Sequence, residues 1–401
     1  MELAMKKSSN RMSFVAVFYF VYYASFAGFW GMINEYLQTQ GMSGTQIGVI
    51  NAVAAMLSVG VTPFWGIVAD KFHNIRLPLG ISMIGTIVIL LFFQRQETAV
   101  GFLIMFCLLD AIRCGTEPLI ITQSMNYAQS VNGNFGMARG IASIGYIFGT
   151  YLSNMVWSKG IVNAIFIIYI ILLGFDLILL PFFPQPVTKI APVNSKGIEK
   201  LDIKGVIQNK PYLFLSLIAI MTTSMMSCST TYVANHFSYT LGCDRKMISI
   251  YSLVSAGPEF IFLSIILLLV KKYGYKHMYM LCIAMQAVRC LVYATTDQPY
   301  VFLAASVLQI FSTGCHAVMN MQFIRRVNDP GIAATAVTVY NAMYNLSKAV
   351  YSYLFGIIYE KYSSYVIFGI TGVITLLAWM LVLNSSLLNV QEQERDAIFS
   401  K

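Results

Sequence analysis

PFFPQPVTKIAPVNSKGIEKLDIKGVIQNK, residues 181–210, is the stretch that decides how the rest of the chain is read. It is rich in proline and lysine, and at about 30 residues it is the longest polar segment in a chain of 401. Six apolar runs precede it and six follow, each near the roughly 20 residues a helix needs to cross the hydrocarbon of a bilayer. The chain is 57% hydrophobic, 14% aromatic and only 11% charged, where a soluble domain carries about a quarter charged residues. No polar segment is long enough to hold a catalytic domain. These features predict an all-α integral membrane protein of twelve transmembrane helices.

The spans are expected near 13–33, 44–66, 77–93, 99–124, 137–157 and 162–181, then 211–234, 247–270, 278–295, 300–322, 332–357 and 364–384. The organisation that follows is an N-terminal six-helix bundle over 1–181, a linker over 182–210, a C-terminal six-helix bundle over 211–384 and a tail over 385–401. The first apolar run, Phe14–Ile33, is too long for a secretory signal and lacks a small-residue cleavage site. If both termini lie inside, seventeen of the 26 basic residues fall in inner segments and five in outer loops, and four lie within spans. That asymmetry predicts cytoplasmic termini in the plasma (cytoplasmic) membrane. It also accounts for the net charge of +9 without a nucleic-acid partner, for which no module is present. The seven cysteines have no zinc-ligand spacing and mostly sit in apolar runs, as small packing residues do.

The two halves echo each other. The second span ends in GIVADKFHNIR (66–76), and about 200 residues later the eighth ends in VKKYGYK (270–276) at the equivalent place. Paired six-helix halves are the plan of a large class of secondary transporters, whose solute site lies at the midplane between the halves.

GIVADKFHNIR resembles the helix 2–3 signature of the major facilitator superfamily through Gly66, Asp70, Lys71 and Arg76, although His73 or Asn74 stands where the signature usually has a glycine. Within that superfamily the chain is similar to the lactose permease branch, which includes phenylpropionate-type permeases. The likeness is carried by FYFVYYASFAGFW (18–30), FGMARGIASIGY (135–146), SAGPEF (255–260), QAVRCL (286–291) and GIIYEKY (356–362), and so extends over essentially the whole chain. The resemblance implies two pseudo-symmetric bundles, alternating access and, commonly, proton coupling. It implies a substrate-site arginine at Arg139, with Tyr146 where the branch has a substrate-stacking tryptophan. It further implies a sugar-contacting acid at Glu259 and a proton-release arginine at Arg289. The departures are as informative. No carboxylate stands near Ile121, where the branch places the partner of Arg139. Gln309 and Ser312 replace the helix 10 histidine and glutamate, and Thr231 and Tyr344 replace an acid–lysine pair. Lactose itself is disfavoured, and the usual proton relay is incomplete.

Residues 110–118, DAIRCGTEP, raise a separate question, since Asp110, Arg113 and Glu117 interrupt an apolar run at i, i+3 and i+7. A charge at the bilayer centre costs at least about 2.5–3.5 kcal/mol, so such residues face a partner or a wet cavity. On a continuous helix Arg113 and Glu117, at i and i+4, neutralise each other and Asp110 needs an outside donor. The stripe then lines a solute cavity, or forms an internal network with Arg139. Glu259 and Arg289 suit either a structural ion pair or a titratable pair. The eleventh span carries Tyr340, Asn341, Tyr344, Asn345 and Lys348, a face suited to stacking on and hydrogen-bonding a ring-shaped solute, or to interhelical hydrogen bonding. Tyr23 and Trp30 of the first span are candidate stackers on an otherwise core-like aromatic face. His316 and His236 are the histidines near the cavity depth, and His316 is the substitute proton carrier, because imidazole titrates near neutrality; a packing role is the plainer alternative. Gly136, Gly140, Gly145 and Gly149 predict close helix approach. Asp70, Lys71 and Arg76 are expected to form a cytoplasmic latch.

No HExxH, GxSxG, phosphate-binding glycine loop or metal-ligand cluster occurs in the chain. The expectation is a transporter without a cofactor, not an enzyme. Proton-coupled symport of a small polar organic solute, a sugar or glycoside, is the first reading. Uniport, or symport of a nucleoside or of an aromatic or organic acid, is the second, and a non-transporting sensor the third. Membrane lipid is the expected surround, and the chain is expected to act as a monomer.

Overall fold

A computed structural model describes residues 2–72, 75–131, 135–184, 208–328 and 333–388. Most of the expected linker, the end of the tail, His73 and Asn74 lie outside the described residues, as do the side chains of Asp70 and Arg139. No strand occurs among the described residues. The first half comprises α1 (Glu2–Trp30), α2 (Ile33–Thr39), α3 (Gly44–Phe72), α4 (Arg76–Phe93), α5 (Ala99–Arg113), α6 (Thr116–Ser130), α7 (Phe135–Trp157) and α8 (Ala164–Leu179). The second comprises α9 (Lys210–Asn235), α10 (Lys246–Ala256), α11 (Glu259–Tyr273), α12 (Tyr275–Thr295), α13 (Pro299–Ser306), α14 (Gln309–Thr313), α15 (Asn320–Val327), α16 (Ala333–Lys361) and α17 (Ser364–Asn384).

Each of the twelve expected spans is helical within the described residues, and nine of the helical stretches there are long and apolar enough to cross a membrane by that measure alone. The other three are α7 and α16, diluted by small and polar side chains, and the eighth span, which is broken into α10 and α11. Four spans expected to be continuous are interrupted: at Gly31–Met32, Cys114–Gly115, Gly257–Pro258 and Val307–Leu308. Two further segments, His236–Thr240 and Gly314–Met319, widen into π-helix. Breaks and π turns in spanning helices gather at functional sites, because the loosened backbone offers polar groups that a regular helix hides.

The chain forms two compact units, Met1–Lys196 with Asp244–Ser252, and Gly197–Cys243 with Leu253–Lys401. In the first, α1 is the central element. Lipid supplies no hydrophobic drive between helices, so their association rests on close packing, and glycines let α7 lie almost backbone to backbone on α1. A Cβ placed on Gly145 would stand 2.2 Å from the Phe20 carbonyl oxygen, and one on Gly149 would stand 1.9 Å from that of Ala24. Toward the other end of α1, Phe29 packs 5.1 Å from Tyr169 and 5.5 Å from Phe166. The segment 244–252 joins this unit through an ion pair, Arg245 Nη1 to Glu35 Oε1 at 2.7 Å, with the guanidinium 4.0 Å from the Trp157 ring.

In the second unit α9 is tied to α16 by tyrosine hydroxyls that donate across to backbone carbonyls, Tyr212 to Ala336 (2.9 Å) and Tyr232 to Ser352 (3.1 Å). Tyr293 and Phe302 stack at 3.6 Å. His236 is absorbed into the same aromatic cluster, 5.0 Å from Phe302 and edge-on to Tyr365 and Phe368, with Nδ1 2.8 Å from the Ser364 hydroxyl. It is a core residue of this unit.

Candidate functional site

The break in the fourth span is built by its neighbours. Ending α5 at Arg113 frees the carbonyls one turn earlier, and an unpartnered backbone group is costly inside a membrane. The Trp65 indole donates to the Ala111 carbonyl at 2.9 Å, and the Ser82 hydroxyl donates to that of Ile112 at 2.7 Å. Gly115 is required there, since a Cβ would stand 2.3 Å from the Trp65 side chain. The interruption corrects the pairing expected for a continuous helix. Arg113 Nη2 bonds Asp110 Oδ1 at 2.7 Å, and Asp110 also accepts from the Ser58 hydroxyl of α3. Glu117, now in the first turn of α6, accepts instead from the Tyr23 hydroxyl of α1. The acid N-terminal to the arginine takes the salt bridge, and the acid beyond the break takes a phenol.

Span 1 covers this cluster with rings. The Arg113 guanidinium lies 4.4 Å from the Trp30 ring centroid and 5.1 Å from that of Phe26. Trp30 is the last residue of α1, and Phe26, Trp30 and Phe106 form a continuing series of ring contacts. Two carboxylates, one guanidinium, a phenol and an indole thus converge in the first unit. A pyranose has an apolar face for such a ring and hydroxyls for such acids.

The second unit holds a different cluster. Arg289 is wholly buried, and its guanidinium donates to Gln309 Oε1 at 2.7 Å and to the Ser229 hydroxyl at 2.9 Å. It forms no ion pair among the described residues, so the expected Glu259–Arg289 pair is replaced by neutral partners. The reason is local: Gln309 is the first residue of α14, just past the Val307–Leu308 break, and faces Arg289 from there. Glu259 opens α11 immediately after the Gly257–Pro258 break and is half-buried. His316 sits in the π segment. Its Nε2 is 3.2 Å from the Thr222 hydroxyl, and its Nδ1 is 3.4 Å from Asn320, which in turn bonds the Tyr340 hydroxyl at 2.7 Å. Tyr344 lies 5.3 Å from His316 and stacks on Tyr340 at 6.3 Å. Lys348 is half-buried one turn on, whereas Asn341 and Asn345 are exposed.

The remaining sequence-derived residues divide further. Tyr146 is half-buried on α7. The side chain of Arg139 lies outside the described residues, as does that of Asp70. Lys71 is exposed, while Arg76 donates twice to the Phe183 carbonyl, at 3.1 and 2.6 Å, and so fastens the start of α4 to the chain leaving α8. Sequence reasoning passed over Ser58, Ser229 and Thr222, ordinary hydroxyls whose roles depend on their neighbours. It also passed over Asp176, a fully buried acid in the run AIFIIYIILLGFDLILL, where the rule that singled out Asp110 applies equally. No group of three or more His, Cys, Asp or Glu suited to a metal occurs among the described residues.

Comparison with known proteins gives a consistent account. A family model described as MFS_1 like family matches residues 13–370. A maltose permease of Geobacillus stearothermophilus is 23% identical over 345 residues, covering 84% of this chain and 85% of that protein. The uncharacterized transporter YwbF of Bacillus subtilis (strain 168) is 23% identical over 357 residues, 88% of each chain. Among solved structures, the nucleoside transporter NupG superposes with a TM-score of 0.82 at 16% identity, over 94% of this chain and 100% of that one. A bacterial homolog of the human lysosomal transporter Spinster, in an inward-facing and occupied conformation, gives 0.68 at 11% identity over 95% and 97%. At these identities the two structures speak for the fold, the twelve-helix fold of major facilitator transporters.

Proposed function

We propose, on the premise that this chain belongs to the MFS_1 like family and is a membrane transporter, that it moves a sugar or glycoside across the plasma membrane by proton-coupled alternating access. The observation that carries the solute class is the arrangement of Asp110, Arg113 and Glu117 beneath the Trp30 and Phe26 rings. An indole face beside carboxylates held by Ser58 and Tyr23 suits a solute with an apolar ring face and a rim of hydroxyls. The maltose permease relative supports the same class. In this reading Arg139 of the first unit and Glu259, Tyr344 and Lys348 of the second are further candidates for contact with the solute. His316, Glu259 and Asp110 are the groups available for proton transfer. The bundles are 1–181 and 211–384, joined by the linker 182–210, with the tail 385–401 and both termini cytoplasmic. The working unit is a monomer in lipid.

The test is uptake into proteoliposomes of radiolabelled maltose, uridine and phenylpropionate under an imposed proton gradient. Concentrative maltose uptake that a protonophore collapses is the expected result. Maltose that only equilibrates removes the coupling clause and leaves a uniporter. Uridine or phenylpropionate accumulating while maltose stays out overturns the sugar reading. One observation favours that second outcome for an acid: among the described residues the Arg289 guanidinium has neutral partners, which suits an anionic solute.

A further inference from the structure

Asp176 has no role in the preceding account. Its side chain is 0% exposed, and neither carboxyl oxygen has a hydrogen-bond partner. It stands in the last turn of α8, where the helix presents its negative end, in a segment read as crossing the membrane. Burial without donors, the helix dipole and the membrane all act against a charge there, and none of them acts against the neutral acid.

Tyr169, seven residues earlier, shares its face of α8. Across the helix contact, Tyr22 of α1 is 2% exposed and its hydroxyl is also unpartnered. Tyr22 lies near enough to feel the charges of Glu117 and Arg113 on one side and of Asp176 on the other. Two orphaned oxygen groups, one on each helix, thus stand between the proposed solute cluster and the end of α8. The groups near enough to act on Asp176 are Tyr22 of α1 and Tyr169 of its own helix. Arg113 of α5 and Glu117 of α6 lie beyond Tyr22. Past α8, the Phe183 carbonyl takes Arg76 and the Pro184 carbonyl takes Gln123 at 3.2 Å, so the chain leaving the helix is held by two side chains.

We infer that Asp176 is an exchangeable proton-binding site of the first unit, linked through Tyr22 to the Asp110–Arg113–Glu117 cluster. One carboxyl oxygen takes a proton from water, holds it while Asp176 is buried and returns it to water when the side chain is next hydrated. One O–H bond forms and the same bond breaks, and no other reactant is needed. The inference rests on the carrier reading only for the use made of the proton.

Infrared spectroscopy of the full-length protein in liposomes reads it directly, without a solute. The wild type is expected to show a protonated-carboxyl C=O band at neutral pH that disappears on alkalinisation, is absent in Asp176→Asn and shifts in frequency in Tyr22→Phe. A band that survives Asp176→Asn unchanged overturns the inference, because the protonated carboxyl is then another residue's. A band that belongs to Asp176 but does not change at any pH the protein tolerates also overturns it, because the proton is then a fixed structural one. If Asp176→Asn does not fold, Tyr22→Phe decides: a shifted band supports the site and an unshifted band overturns it. Vesicles that move none of the three solutes leave this result intact, and a missing band leaves any measured uptake intact, so the two failures are distinguishable.

Discussion

Arg113 bonds Asp110 through Nη2 at 2.7 Å while its guanidinium plane lies 4.4 Å from the Trp30 ring, so one side chain joins an acid of α5 to an indole of α1. Removing it in Arg113→Ala leaves Asp110, 8% exposed, with Ser58 as its neutral partner. Breaking a buried pair from one side costs about 3–5 kcal/mol. A clear fall in the unfolding midpoint in detergent is expected. Arg113→Lys keeps the charge but loses the planar stacking, so its fold is expected to survive while maltose affinity drops. The contribution of Trp30, one of four tryptophans, to the intrinsic fluorescence should respond to both changes. An Arg113→Lys protein with wild-type maltose affinity would remove the guanidinium–indole pair from the solute site.

Two glycines make opposite predictions. Gly149 has the Ala24 carbonyl 1.9 Å from where its Cβ would sit, so Gly149→Ala forces α1 and α7 apart and is expected to destabilise by about 1–3 kcal/mol. Gly174, on α8, has nothing within 4 Å of its added Cβ. There Gly174→Ala gains helix propensity of roughly 0.8–1 kcal/mol and is expected to raise the unfolding midpoint. Thermal unfolding of the two variants side by side checks both signs.

Glu35 is completely buried, and Arg245, its partner at 2.7 Å, is 21% exposed in its side chain and covers Trp157. Glu35→Ala and Arg245→Ala are each expected to lower stability, Arg245→Ala less, because the carboxylate it leaves can be neutralised by protonation. The double variant should fall short of the sum by about 2 kcal/mol, the coupling typical of side chains in direct contact. Strictly additive midpoints would show that the pair contributes nothing beyond its packing.

Much of this was legible in the sequence, and the part that was not has a physical reason. Span count and position follow from the lengths of apolar runs, because every crossing helix meets the same bilayer thickness. A close helix approach at α7 followed from the glycines at 145 and 149, since small residues at that spacing let backbones meet in lipid, but that the partner is α1 did not. The pairing of Asp110, Arg113 and Glu117 did not follow. Periodicity carries straight through Cys114–Gly115, and the groups that permit the break, Trp65 and Ser82, lie on other helices. The same holds for Arg289, whose partners Gln309 and Ser229 come from two distant spans. The break before Glu259 was not expected either, although Gly257–Pro258 carries its cause, a proline that cannot donate to the helix ladder. Asp176 needed no tertiary knowledge at all.

Gln309 is the residue whose replacement separates the two solute readings. It accepts from Arg289 at 2.7 Å, and an acid of the same length at that position would meet the guanidinium as a charged partner. Gln309→Glu is therefore expected to fold at least as stably as the wild type, since it neutralises a buried cation whose partners among the described residues are an amide and a hydroxyl oxygen. If the solute is a sugar recognised around Asp110, Arg113 and Trp30, maltose binding to Gln309→Glu should persist. If the solute is an organic anion held by Arg289, the new carboxylate occupies its place, and phenylpropionate binding and uptake should be lost. Gln309→Leu gives the opposite perturbation, leaving Arg289 with Ser229 and an unsatisfied donor at a cost of about 1–3 kcal/mol. Calorimetric titration of the wild type and Gln309→Glu with maltose and with phenylpropionate checks the separation. Loss of maltose binding in a well-folded Gln309→Glu would move the sugar's contacts to the Arg289 cluster and away from Trp30.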